Sequence, residues 1–337
     1  MAITVTAAHV AESYDSGNLK EDVSDIIFNI DPLDTPCLTL SGKRDVGNTT
    51  FEWNEESLPS SDATNAKMEG ADFTSEAVQQ VVRRTNYTQI STRNAVVSGT
   101  QSSVSQYGKT SEMAHQLEIK SKALKLDIEK ALVSHNAGVA GAGDAATARQ
   151  TESFPHMIAR GSNFKAKASS GTSAPGSATA AFTEGSATEE LTESIFMELA
   201  QSVYENGGEM KAVVCGPGLK REISDFQGRS GTQVIVDPEK VSNNITIVAS
   251  DFGDLKILTS RSMGTFGSSG AAGTDLLMAD WQYLKLAFLR NFSKQQIAKQ
   301  GDSDAQQLIA EWGAECSNFD SCGIRTNLTN AYAGATA

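Results

Sequence analysis

One stretch restricts the fold of this chain more than any other. Residues 109–136 read as a single long helix carrying apolar side chains on two sides. Met113, Leu117, Leu124, Ile128 and Leu132 recur at steps of four and seven, which stacks them on one helical face. Ile119, Leu126 and Val133 form a second stripe on nearly the opposite side. Glu118 and Lys122 make a favourable (i, i+4) pair, and Thr110-Ser111-Glu112 offers caps at the start. Asn136 and Gly138 suit the stop. At 1.5 Å per residue the helix is about 40 Å long. With two apolar sides it should serve as a backbone for other layers.

The segments before this helix are extended. Residues 1–45 read as an arm with one short helical piece at 22–30, which includes Phe28. Asp31-Pro32 stops that piece and Thr35-Pro36 adds a second break, because a residue before proline is pushed out of the helical region. Residues 46–97 read as a long β-hairpin. Phe51 and Trp53 alternate with Glu52 and Asn54 on the outgoing strand, and Val78 to Ile90 form the return. The predicted tip, Glu55 to Ala77, is polar, and its paired Glu55-Glu56 should be solvated. An isolated two-stranded hairpin is marginal in water. The residues leave two supports open: an ordinary sheet of the same chain, or a neighbouring copy.

After the helix, residues 138–184 are dominated by Gly, Ala, Ser and Thr, with a short ordered piece around Phe154, Met157 and Ile158. A second helix is predicted over 187–205, with Leu191, Ile195, Leu199 and Val203 on one face and Gly207-Gly208 at its end. From Met210 the pattern alternates between strand and helix. It predicts strands at 212–215, 233–236, 245–249, 255–259, 275–285 and 286–289, and a helix at 219–226. Residues 295–310 read as a mixture of strand and helix. There is no internal repeat.

Chemistry-bearing patterns are sparse. His9, His115, His135 and His156 lack metal-ligand spacing to one another or to a cysteine. Cys37, Cys215, Cys316 and Cys322 are too scattered for a disulfide framework, so buried thiols are expected. Neither a nucleophile elbow nor a phosphate-binding loop is present. Asp251-Phe252-Gly253 reads as a turn between strands, and Gly301-Asp302-Ser303-Asp304 as a capped turn rather than a calcium loop. No catalytic residue, cofactor or metal is therefore expected. The 337 residues carry a net charge of −13, which argues against gripping nucleic acid through dense Lys and Arg. An acidic wall would instead let packed DNA slide. No run reaches the roughly 18 apolar residues that span a bilayer. The N-terminus has no basic-then-apolar signal, so the chain is expected to be made and folded in the cytoplasm.

The order arm, hairpin, long helix and α/β unit resembles the Hong Kong 97-type capsid fold of tailed phages, shared with encapsulins. The wording is similar to one group of phage major head proteins. The matching phrases include Phe51-Glu52-Trp53, Glu69-Gly70-Ala71-Asp72, Arg84-Thr85-Asn86-Tyr87-Thr88-Gln89-Ile90 and Leu124-Lys125-Leu126-Asp127-Ile128-Glu129. Others are Tyr204-Glu205-Asn206-Gly207-Gly208 and Ala298-Lys299-Gln300-Gly301-Asp302. The resemblance implies an α+β fold in six parts. They are an N-terminal arm (1–45), an extended loop (46–97), the spine helix of a peripheral domain (98–137), a Gly/Ala/Ser-rich loop or insertion (138–184), an axial domain (185–275), and return strands with a tail (276–337).

It further implies a non-enzymatic subunit forming pentamers and hexamers of an icosahedral shell around double-stranded DNA, bound without sequence specificity. Portal, scaffolding and decoration proteins are the implied partners, with no membrane. The virion is the implied location, after assembly in the host cytoplasm. Inter-subunit contacts would fall on Phe28, Phe51, Trp53, Glu55, Glu56, Glu69, Asp72, Arg83, Arg84 and Tyr87. Met113, Leu117, Leu124, Ile128 and Leu132 would form the spine-helix core. Competing readings are an encapsulin-like compartment subunit and a hydrolase with an unrecognised site.

Overall fold

The computed structural model describes residues 34–59, 61–70, 72, 75, 78–106, 108–142, 147–165, 174–180, 182, 188–226, 246–263, 274–299 and 301–329. The expected helical piece at 22–30, with Phe28, and the strand at 233–236 lie outside these residues. The elements run α1 Pro36–Leu40, β1 Gly42–Asp45, β2 Thr50–Glu55, β3 Val82–Tyr87, β4 Gln89–Ser98, α2 Gly99–Ser103, α3 Glu112–Val133 and α4 Phe154–Ala159. They continue β5 Phe164–Lys165, β6 Glu189–Glu190, α5 Glu193–Glu205, β7 Ala212–Cys215, α6 Pro217–Ser224, β8 Ile247–Ser250, β9 Gly253–Thr259 and β10 Leu276–Ala279. The last are β11 Leu284–Ile297, β12 Ser303–Cys316, β13 Gly323–Arg325 and β14 Leu328–Thr329.

The long helix does organise the molecule. Ser111 caps it by accepting from the Ala114 N–H. It lies on a four-stranded sheet of order β1-β11-β12-β4. Arg93 on β4 donates two hydrogen bonds of 2.6 Å to Asp127 on α3, across the interface. Trp312 of β12 is fully buried and donates its indole N–H to Ser91 Oγ at 3.0 Å. Leu124, Ile128 and Leu132 are buried, whereas Met113 and Leu117 are only half-buried. The second stripe fares worse toward its start: Val133 is buried, Leu126 half-buried and Ile119 41% exposed. So only the C-terminal half of α3 is enclosed on two sides. The helix is also shorter than predicted, because Ser134 leaves the helical conformation.

A second sheet, of order β5-β13-β10-β7-β9-β8, is covered on both faces. Val213, Cys215, Leu276 and Met278 meet Phe196, Leu199 and Val203 of α5 and Leu219 and Ile223 of α6. The alternate residues, Ala212, Val214, Leu277 and Ala279, belong to the core containing Ile128, Leu132, Met157 and Ile158. Burial on both faces is why Ala212-Val213-Val214-Cys215 is apolar without alternation.

Two expectations are corrected and one is sharpened. The described residues of 295–310 contain no helix: β11 and β12 form one long antiparallel hairpin, turning at Gly301 with φ +67°. Its outer half is exposed on β11, so polar residues sit on both faces and the period-2 signal is lost. The short ordered piece expected around Phe154, Met157 and Ile158 is present: residues 151–159 are all buried, and those three lie in the main core. Helix α5 starts at Glu193, capped by Thr192, so Leu191 is buried just before the helix rather than on its face.

Candidate inter-subunit surface

The hairpin is built from β2 and β3, paired from Thr50–Tyr87 to Glu55–Val82. Its root is fixed to its own chain. Phe51 and Trp53 point inward, both buried, with ring centroids 5.9 Å apart. The strand alternation expected for Phe51 and Trp53 is present, and its apolar face turns to the subunit's own core. Phe51 packs over Gly313, where an added Cβ would lie 2.5 Å from Phe51 Cε1. Asn86 is completely buried. Its Nδ2 donates to Ala314 O at 2.6 Å, to Thr151 Oγ1 at 3.1 Å and to Glu152 O at 3.2 Å. Its Oδ1 accepts from the N–H of Glu152 at 2.9 Å and of Tyr87 at 2.7 Å. One amide thus ties β3 to β12 and to the segment before α4.

Charged groups complete the root. Glu55, expected to be solvated, is half-buried and accepts from Arg84 Nε at 2.6 Å. Arg84 also lies over the buried Phe319 ring at 4.7 Å, and Arg160 lies at 5.3 Å from the same centroid. Arg160 in turn donates to both carboxylate oxygens of Glu152 at 3.0 Å. Glu311 is buried beside the end of β3. It accepts from Arg290 Nε at 2.7 Å, from Thr88 Oγ1 at 3.2 Å and from Arg149. Tyr87 is half-buried within this root.

Beyond the root the hairpin changes character. Glu56 to Pro59, the described residues of 61–75 and residues 78–83 are all exposed. Glu56, Glu69, Asp72 and Arg83 are among them, Arg83 lying 3.4 Å from Glu52. So are large apolar side chains: Leu58 is 92% exposed, Val78 88% and Met68 84%. Apolar groups exposed singly need no explanation, but here three fall on one exposed acidic loop.

The arm is anchored by a group that sequence patterns miss. Thr35, at the N-cap of α1, makes no side-chain cap. Instead Glu129, a buried carboxylate on α3, accepts from the N–H groups of Cys37 at 3.0 Å and Leu38 at 2.8 Å. Burial holds the Glu129 carboxyl above its ordinary value, partly offset by those two N–H donors. Burial and the nearby Glu129 push the Cys37 thiol well up. Glu129 and Asn86 both stood in recognisable phrases. A charged or amide residue aligned with an apolar stripe was the available signal.

Among the described residues, no three His, Cys, Asp or Glu side chains cluster as metal ligands. His156 is held between Glu152 Oε1 at 2.7 Å and Ala180 O at 2.8 Å, and His135 meets Asp275 at 2.6 Å, so both serve internal packing. The four cysteines are buried free thiols, with Cys215 pushed up to about 12 by burial. Asp304 pairs with Lys299 at 2.8 Å beside the β11–β12 turn, and Asp251-Phe252 forms the turn from β8 to β9. Two clefts remain. One of about 580 Å³ lies beside the hairpin root, between Arg84, Asn206 and Asp320. The other, of about 710 Å³, lies between α1, Lys220 and β9. No helix among the described residues is long and apolar enough to cross a membrane.

Comparison with known proteins gives a consistent set. The sequence model of the SU10 major capsid protein family matches residues 4–329. A major capsid protein of Escherichia phage Phieco32 is 32% identical over 166 residues, which are 44% of this chain and 47% of that protein. The chain thus spans about half the length of that curated relative. Among solved structures, a chain from Gordonia phage Cozz matches with a TM-score of 0.63 at 13% identity, over 98% of each chain. A chain from Mycobacterium phage Adephagia matches with 0.59 at 12% identity, over 95% of this chain and 98% of that one. A chain from the capsid of a native GTA particle gives 0.59 at 12% identity, over 97% of this chain and 100% of that one. At such identities these structures speak to the fold.

Proposed function

The chain belongs to the SU10 major capsid protein family and has the Hong Kong 97-type fold, and we propose that it builds an icosahedral shell of pentamers and hexamers around double-stranded DNA in a tailed bacteriophage. Its work is structural, as part of the virion capsid. Assembly takes place in the host cytoplasm, with itself as the main partner and with portal, scaffolding and decoration proteins as accessory ones. The DNA is enclosed without sequence-specific contact, which the net charge of −13 favours. Nothing in the relatives favours an encapsulin-like compartment.

One observation carries this reading: a hairpin whose root is buried and hydrogen-bonded while its long tip is exposed and partly apolar. Such a loop is held ready to lie across a second copy. In this reading Glu56, Glu69, Asp72 and Arg83 touch the neighbour. Glu55, Arg84 and Tyr87 position the loop from its root, and Phe51 and Trp53 hold the root to the core. The described C-terminal end of the arm, docked on Glu129, leaves the preceding residues, with Phe28, to brace an adjacent subunit. The four-stranded sheet with α3 corresponds to the peripheral domain and the six-stranded sheet to the axial domain. Each interface is modest, but closed symmetry repeats it over every copy.

Electron microscopy of the purified protein, with its scaffold and protease partners, tests the shell directly: closed shells are expected, and small oligomers under every condition would sink the reading. Deleting residues 57–80 keeps the Glu55–Arg84 contact and should leave a folded subunit that assembles poorly. Normal shells from that deletion would remove the loop from the interface.

A further inference from the structure

The cleft of about 710 Å³ between the end of the arm and the six-stranded sheet has an unusual wall. Lys220, the fourth residue of α6, lines it and is half-buried as a residue. Among the described residues its Nζ has no hydrogen-bond partner, and it is shielded from solvent. An ammonium in that state has lost its hydration without gaining an acceptor, a costly arrangement that a carboxylate would relieve. Burial accordingly pushes its pKa down. Lys256 of β9 lines the same cleft and makes no ion pair among the described residues. Asp34, the one acid in the lining, lies 3.6 Å from Arg261. Pro36, Leu40, Ile257 and Leu258 supply an apolar floor. The cleft is thus suited to a peptide segment that carries both carboxylate and apolar side chains.

The extended loop has that composition. From Glu55 to Ala77 it carries six carboxylates and one lysine. Glu55 is taken by Arg84, and Asp62 accepts from Thr64 N–H and Oγ1 at 2.8 and 2.6 Å. Glu56, Glu69 and Asp72 are exposed, with Leu58 and Met68 beside them. The fourteen residue-to-residue steps from Glu55 to Glu69 can reach up to about 45 Å when extended, far enough to leave the parent subunit. We propose that the Lys220–Lys256 cleft is the receptor for the acidic tip of the extended loop of a second copy, with Glu69 and Asp72 as its anionic contacts. This rests on the reading that the loop lies on a neighbour, and adds where it lands.

Carbodiimide coupling of assembled shells tests the contact. Shells are built from a mixture of isotopically light and heavy subunits and analysed by peptide mass spectrometry. Mixed-mass amides joining Lys220 or Lys256 to Glu69 or Asp72 are the expected result. Loop carboxylates coupled between copies to other lysines alone would overturn the cleft while leaving the loop-on-neighbour reading intact. No coupling of loop carboxylates between copies, together with normal shells from the 57–80 deletion, would overturn both. A charge swap guards against variants that simply misfold. Lys256→Glu should raise the subunit concentration needed for assembly roughly tenfold or more. Adding Glu69→Lys and Asp72→Lys should restore it, and a swap that restores nothing in subunits with native circular dichroism would also overturn the proposal.

Discussion

Asn86 shows how one side chain can fix a projecting element. Its amide pairs with backbone groups of Ala314, Glu152 and Tyr87 in a fully buried position. Asn86→Ala strands the Glu152 N–H and the Ala314 carbonyl away from water, at about 1–3 kcal/mol each. A loss of about 3 kcal/mol in urea unfolding of the isolated subunit is therefore expected. Asn86→Asp keeps the acceptor but turns a buried charge toward two carbonyls, and should be at least as damaging. Glu129 makes the opposite case, a charge that is costly in its ionised form. Its folded pKa is raised above the ordinary 4.5, so the native state binds its proton more tightly than the unfolded chain does. That contribution to stability grows as pH falls from above the folded pKa toward 4.5, and is lost on the way back up. Glu129→Gln cannot ionise and, like the protonated acid, keeps one carbonyl oxygen to accept from either the Cys37 or the Leu38 N–H, which meet different carboxylate oxygens in the native chain. Denaturation midpoints of the two proteins should converge on acidification through this window, with the Gln variant ahead at neutral pH. Glu129→Leu removes the acceptor and should release the arm, read as faster amide exchange at Cys37 and Leu38.

At the scale of elements, the hairpin is two devices in series. Its root is a packed corner, and Gly313 permits it, because any Cβ there meets the Phe51 ring at 2.5 Å and the Tyr87 carbonyl at 3.0 Å. Gly313→Ala should cost about 1–3 kcal/mol through overpacking and tilt the loop. Shells should then fail at a temperature where the variant subunit still melts cooperatively, which paired calorimetry and light scattering would separate. The strand alternation around Phe51 and Trp53 was legible in the sequence, but its direction was not. Alternation says that one face is buried and does not say in which molecule. The long helix was legible because its period persists over many turns, yet its solvated first half was not, since Ile119 looks as apolar as Val133. The outer half of β11–β12 was illegible for the converse reason. Gln295, Gln296, Gln306 and Gln307 sit opposite one another in register without an apolar face to announce a strand. Glu152 and Thr151 were hidden in a small-residue stretch whose composition reads as loose, although their long-range hydrogen bonds fix the middle of the molecule.

For the whole molecule the decisive quantity is charge. Each copy carries −13, so bringing many copies into one shell must overcome repulsion that acts at a distance. Contact terms, namely exposed apolar side chains on the loop and the desolvated pair proposed at Lys220, act only at short range. Salt separates the two. The Debye length falls from about 10 Å at 0.1 M to about 3 Å at 1 M, which removes the repulsion between surfaces while a buried pair is screened much less. Raising ionic strength should therefore lower the subunit concentration at which shells form, followed by light scattering at fixed pH. If exposed ion pairs supplied most of the adhesion, the same titration would run the other way and shells would dissolve as salt rose. The Lys256→Glu variant sharpens the comparison, because it adds two negative units per copy and also empties the cleft of its outer cation. Salt should recover only the part of its defect that comes from added repulsion. The remainder, unchanged at high salt and removed by the compensating loop lysines, measures the contact itself.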